Sequence, residues 1–323
     1  MKNVKYAVLI MVSMLLIAAC SETEDASAPE DLRVYKFEAI DLENLSSEKI
    51  VASYEGGEVT GEEFAKYLAL QAFLNPYAPI NDEEYRLDMI YDLIVERLTG
   101  SLATELEWAN EQVELIWNQI SLSYEDETLQ DAYEILQISE EEIKAALISL
   151  LNIETYFEQQ ITETEIVEFY HSVIDELTTA TFTHILIGIN EDKSIEGQEV
   201  RTVAEALQIA NKVQQRLLAG EDMGDLVSLF SDDGGSIETN GRYENIAVAG
   251  LVPEFRKALV ELELHTISDP VPTEYGYHIV KLEDLYVLPF EEVKNSLVGE
   301  LIHEKYLAYF YEELPTKIIE INL

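Results

Sequence analysis

The residues whose types could do chemistry lie mostly in the second half of the chain. His184 sits in the alternating run Thr181 to Ile187 (TFTHILI) and His278 in the run Gly276 to Leu282 (GYHIVKL). Asp233 lies between them, in Ser231-Asp232-Asp233-Gly234-Gly235. Two imidazoles and one carboxylate are the donor set of a facial metal triad. Residue type alone also admits plainer roles: a histidine on the inner face of a strand is commonly a satisfied core residue, and Asp before Gly is a turn former. The chain has one cysteine, Cys20, which excludes an intramolecular disulfide and a thiolate metal cluster.

The elements that must hold these residues are legible from periodicity. Thr181–Ile187 and Gly276–Leu282 read as two outer strands. Between them Val203 to Ala219 is an amphipathic helix with Leu207, Ala210, Val213 and Leu217 on one face, stopped at Gly220. Asp225 to Phe230 and Pro253 to Leu262 read as further helices, the last with Pro in its first turn. Together they predict a compact α+β unit. Upstream, Lys49 to Tyr54 is a strand candidate followed by a Gly56-Gly57 turn, and residues 82–157 show apolar spacing of helical period, as at Met89, Leu93, Ile94 and Leu98. Thr60–Glu63, Ser139–Glu142 and Thr162–Glu165 are capping boxes that open helices. This helical half holds no phosphate loop and no nucleophile elbow, and its His171 is expected to be exposed and inert. Phe290 to Leu314 reads as helical again, and Thr316 to Leu323 as a strand able to pair with Lys49–Tyr54. That pairing would make the two flanks one mainly helical domain with the α+β unit inserted.

The N-terminus reads as an address. Lys2 and Lys5 precede an apolar run of about 14 residues, Tyr6 to Ala19, too short for a membrane span of roughly 20. It ends in Ile17-Ala18-Ala19-Cys20 and turns polar at once. This resembles the bacterial lipobox, which implies signal-peptide cleavage after residue 19, diacylglycerol on Cys20 and anchoring at the outer face of the cell membrane. Residues 20–48 are then expected to be an acidic tether. The composition is strongly acidic, with 20 Lys+Arg against 64 Asp+Glu. Loss of the leader removes two lysines and no acid, leaving a net charge of -46. Such a surface repels nucleic acid and anionic headgroups. It suits basic or neutral polypeptides as partners, or solubility in a saline or alkaline exterior.

Taken in order, the α+β unit resembles the parvulin family of peptidyl-prolyl isomerases. The resemblance is carried by Thr183-His184-Ile185-Leu186, by Gly220 with Leu226 and Phe230-Ser231-Asp232-Asp233, by Leu251-Val252-Pro253-Glu254-Phe255, by Ile267-Ser268-Asp269-Pro270-Val271, and by Thr273-Glu274-Tyr275-Gly276-Tyr277-His278-Ile279. It covers about Thr181 to Asp284, and five motifs in the family's order are specific where one would not be. Ile50 to Thr60 with Phe64, Ile161 to Tyr170, and Phe290 onward resemble the flanks of PrsA- and SurA-type foldases, so with its lipobox the whole chain is most similar to a PrsA-type foldase lipoprotein. The implied domains are 49–178 and 287–323 for the helical chaperone region and 179–286 for the isomerase. The sequence departs from the family at three places. One glycine of the turn between Asp233 and Phe255 is missing, His265-Thr266 replaces Gly-Glu, and Leu251 replaces methionine.

The resemblance implies catalysis of X-Pro isomerisation by His184, Asp233, His278 and Thr273, with Tyr243, Leu251 and Phe255 around the proline ring. The histidines would lie side by side on adjacent strands and bond to each other, and Thr273 would fix a tautomer. It implies no cofactor and no metal, exported unfolded polypeptides as clients, no nucleic acid, and it admits a homodimer. With no Arg/Lys cluster near the pocket, phospho-specific recognition is not expected. Two other functions compete: a holdase that keeps the fold without turnover, and a transporter's solute-binding lipoprotein. The second would need two α/β lobes, which the long helical run opposes.

Overall fold

The computed structural model describes residues 36–43, 45–100, 106–189 and 201–323. The expected signal peptide, Cys20 and the tether as far as residue 35 lie outside the described residues. The chain divides into two compact units: one formed by residues up to Ile166 together with Asn295–Leu323, the other by Val167–Lys294. The second is wider than 179–286, because it takes in residues on both sides of the paired strands.

The first unit begins with a hairpin of β1 (Ile50–Tyr54) and β2 (Gly57–Thr60). Gly56 turns the chain at φ 112°, open to glycine and strained for other residues. The C-terminal strand β7 (Ile318–Ile321) pairs antiparallel with β1 through Ala52↔Ile321, completing a sheet of order β2-β1-β7. The helices are α1 (Gly61–Leu74), α2 (Glu83–Thr99), α3 (Leu106–Ser123), α4 (Asp126–Leu136) and α5 (Glu140–Glu158). The capping boxes form: Thr60 Oγ1 accepts from Glu63 N at 3.2 Å while Glu63 Oε2 accepts from Thr60 N at 2.9 Å, and Ser139 and Glu142 repeat the exchange. Phe64, Leu68, Phe73, Ile90, Ile94, Leu147, Leu151 and Phe157 fill one apolar core. Phe37 and Leu45 are buried in the same core, so the tether expected over 20–48 does not extend through its last part: apolar side chains there pack instead of staying solvated. The helix α10 (Phe290–Ala308) opens the helical stretch expected as far as Leu314. The chain widens into a π-turn over Tyr309–Glu313 and resumes as a short helix α11 (Leu314–Lys317). Pro315 has no amide hydrogen to continue an unbroken α-helix. Among the described residues no helix is long and apolar enough to cross a membrane.

The second unit begins within α6 (Glu163–Ser172), a helix opened by the Thr162–Glu165 capping box. Its sheet is antiparallel with order β4-β3-β6-β5, from β3 (Thr178–Gly188), β4 (Arg242–Ala247), β5 (Val271–Thr273) and β6 (Gly276–Val287). The two strands read from periodicity, β3 and β6, are the adjacent central pair, and the short β4 and β5, which periodicity missed, are the edges. The helices are α7 (Val203–Leu218), α8 (Met223–Phe230) and α9 (Pro253–Glu261). Each face of the sheet has its own core. Ile185, Ile187 and Ile279 pack with Ala206, Ala210, Val213 and Leu217 of α7. Ala180, Phe182, Val280 and Leu282 pack with Phe255 and Leu259 of α9. The period of two along β3 and β6 makes this split and puts His184 and His278 on the face of the second core.

Candidate active site

The sheet register brings the two histidines together. His184 opposes Val280 and His278 opposes Leu186, so the imidazoles are diagonal neighbours on one face, a spacing side chains of this size can bridge. Their rings stack with centroids 5.4 Å apart, and Nδ1 of one lies 3.2 Å from Nδ1 of the other. His184 Nε2 lies 2.7 Å from Asp233 Oδ2, and His278 Nε2 lies 2.9 Å from Thr273 Oγ1. All four ring nitrogens thus have partners within the protein. A facial triad would need nitrogens turned to a metal instead.

One proton arrangement satisfies the whole line. The Thr273 hydroxyl donates to His278 Nε2, His278 Nδ1–H donates to His184 Nδ1, and His184 Nε2–H donates to the Asp233 carboxylate. His278 is then neutral. Burial drives His278 the same way: desolvation, aided by the neighbouring His184, pulls its pKa down to about 4.

Asp233 gathers more donors than His184 alone. The Ser236 hydroxyl donates to its Oδ2 at 2.5 Å and the Tyr243 hydroxyl at 2.9 Å, while among the described residues Oδ1 accepts only from Gly235 N–H at 3.2 Å. The His184 hydrogen bond, then those of Ser236 and Tyr243, hold this carboxyl far below the usual carboxylate range against the opposing effect of burial. Burial and the carboxylate together raise the Tyr243 phenol. Asp233 is therefore a fixed negative charge with one oxygen saturated and the other lightly engaged.

The loop that carries Asp233 is fastened along β3. Asp232 N–H donates to Leu186 O at 2.8 Å, Ser231 Oγ accepts from Leu186 N–H at 3.3 Å, and Asp232 Oδ2 accepts from Gly188 N–H at 2.8 Å and from Arg201 at 2.5 Å. Its far end closes where Gly241 O accepts from His184 N–H at 2.9 Å and Gly241 N–H donates to Ser236 O at 2.7 Å. Gly241 has φ 79°, and a Cβ there would strike the His184 carbonyl. The position requires glycine on both counts. Asn240 precedes it in the left-handed region at φ 55°, a conformation Asn tolerates better than most residues.

The apolar wall beside this network is aromatic. The Phe255 ring lies 5.0 Å from His278 and 5.8 Å from His184, and Phe182 lies 5.2 Å from Phe255 and 5.5 Å from Tyr243. Leu251 packs half-buried against the same cluster. So His184, Asp233, His278 and Thr273 form one hydrogen-bonded chain, and Tyr243, Leu251 and Phe255 share the cluster beside it. Reading the sequence missed Ser236 and Phe182. The spacing Asp233 to Ser236, one turn apart in a tight loop, is the signal that could have found the first. Phe182, two before His184 on the same strand face, is the signal for the second.

Residues 184–284 match the family model described as "Rotamase: PPIC-type PPIASE domain". The foldase protein PrsA of Caldanaerobacter subterraneus is 26% identical over 281 residues, covering 83% of this chain and 86% of the relative. That of Oceanobacillus iheyensis is 28% identical over 286 residues, covering 85% and 83%. The crystal structure of a PrsA peptidylprolyl isomerase from Bacillus cereus covers 83% of this chain and 90% of its own at 22% identity and a TM-score of 0.39.

Proposed function

We propose that this chain, a member of the PrsA foldase family with a PPIC-type parvulin domain, is a peptidyl-prolyl cis-trans isomerase and chaperone for exported proteins. The observation that carries the reading is the unbroken line Thr273, His278, His184, Asp233 set against an aromatic wall.

X-Pro isomerisation must cross a barrier of ~20 kcal/mol and takes tens of seconds unassisted. It needs no nucleophile, only a site that favours the twisted amide over the planar one. The proline ring would rest on Phe255, Leu251 and Tyr243. Planarity depends on a resonance form that places negative charge on the amide oxygen. A fixed carboxylate facing that oxygen disfavours the form and so loosens the C–N bond. Asp233 supplies the charge, and Ser236, Tyr243 and His184 hold it ionised and oriented before substrate arrives. His278 and Thr273 fix the tautomer of His184. Among the described residues no Lys/Arg cluster is placed to read a phosphate, which favours ordinary X-Pro bonds as the substrates.

The lipid anchor and its location extend this reading. Cys20, alone in the chain and behind a short apolar leader, would carry the diacylglycerol and hold the protein on the extracytoplasmic face of the membrane. Replacing Cys20 by Ser should release the protein from the membrane fraction, and retention of the variant would contradict the anchor. The functional reading is tested by refolding an exported protein whose slow phase is proline-limited, with and without the purified full chain. Acceleration of the slow phase together with less aggregation is expected. An unaltered slow phase would remove the isomerase from the reading, and unaltered aggregation would remove the chaperone.

A further inference from the structure

The helix α3 has two apolar stripes. Ala109, Val113, Ile116, Trp117 and Ile120 are buried in the core of the first unit. Trp108, Leu115 and Leu122 are not: they are 41%, 58% and 86% exposed. A spacing of seven is two helical turns less about 20°, so these three form a row on the side away from the buried stripe, about 21 Å from end to end. Exposed apolar residues scattered singly are ordinary, whereas an aligned row marks a surface that something else covers.

The charge around this row is one-sided. Glu111 stands exposed between Trp108 and Leu115, and exposed Glu125, Asp126 and Glu127 follow Leu122. Glu114 is also exposed, and it is paired with Lys144 at 2.9 Å. Between Arg97 and Lys144 the chain holds twelve acids and no Lys or Arg.

We propose that this acid-flanked row is a docking surface for unfolded polypeptide segments in which apolar and basic residues are interspersed. The proposal rests on the chaperone reading above and specifies which clients it favours. Apolar side chains of the segment would cover Trp108, Leu115 and Leu122. Its Lys and Arg residues would lay their aliphatic stems on the row and their charges among the carboxylates. About six extended residues, at roughly 3.4 Å each, span the row. A second copy of this chain fits poorly, because pairing would bring the same run of acids face to face on molecules already at net charge -44.

The test titrates the purified full chain with a labelled unstructured peptide of Leu, Phe and Lys, and with its counterpart carrying Glu for Lys. The basic peptide should bind at least about tenfold more tightly, and about 0.5 M salt should remove most of that preference. The double substitution L115S/L122S, at exposed positions, should weaken basic-peptide binding by about tenfold. Glu111→Lys should weaken the basic peptide and strengthen the acidic one. Equal affinity for both peptides, or binding untouched by L115S/L122S, would overturn the proposal. So would a dimer in sedimentation that L115S/L122S dissociates, since the row would then belong to a second copy. Turnover of a short proline tetrapeptide, measured on the same preparations, should be the same in these variants. Its absence in the parent chain would count against the isomerase reading and not against the docking surface.

Discussion

Asp233 Oδ2 takes hydrogen bonds from His184, Ser236 and Tyr243, and that convergence decides what the residue can do. A carboxylate so well solvated by protein donors is a poor base and a steady source of field. His278 adds a consequence for pH. Its pKa is held at about 4, below the ordinary value of about 6.5. Between those two values the unfolded chain binds a proton that the folded chain refuses, so stability is complete above about pH 6.5 and falls as pH drops towards 4. The full shift corresponds to about 3 kcal/mol. Thermal melting of the parent and of His278→Gln across this range should show the steeper loss in the parent. Equal slopes would mean that His278 titrates as it does in water.

At the scale of elements, the site depends on a loop tied down along β3 and on turns that tolerate left-handed backbone. His265 stands at φ 65° and its side chain is exposed, at a position where the family resemblance implies glycine. A left-handed residue with a Cβ costs about 1–2 kcal/mol, and glycine's extra freedom in the unfolded chain offsets about 0.5–1 kcal/mol of that. His265→Gly should therefore stabilise the second unit by about 0.5–1 kcal/mol, read as a raised midpoint in denaturant. A lowered midpoint would show that the histidine makes a contact worth more than the strain. The same turns mark the limit of what sequence could tell. β3 and β6 were legible because alternation and β-branching run through them, and the capping boxes announced their helices. β4 was not, because in Arg242–Ala247 only Tyr243 and Ile246 are even half-buried and Asn245 bends the strand at φ 51°. β5 has three residues, too few to carry a period. His184, His278 and Thr273 stood out through motif order. Ser236 did not, because its importance lies in a loop geometry that folds it onto Asp233.

For the molecule as a whole, the chain leaves one unit, builds another and returns: β7 closes the sheet that β1 opened. The first unit is therefore complete only when the C-terminal strand has been made, whereas the rotamase unit is continuous in sequence. The functions divide in the same way, with the X-Pro chemistry confined to the second unit and the acid-flanked apolar surface of α3 to the first. The central claim is that the line from Thr273 to Asp233 is a working isomerase site. Its most direct test is the cis/trans exchange rate of a proline tetrapeptide with the purified full chain, beside the Asp233→Ala variant. The parent should accelerate exchange, and the variant should lose about tenfold or more of that acceleration while keeping its fold by circular dichroism. A folded parent that leaves the exchange rate unchanged, or a variant as fast as the parent, would contradict the account.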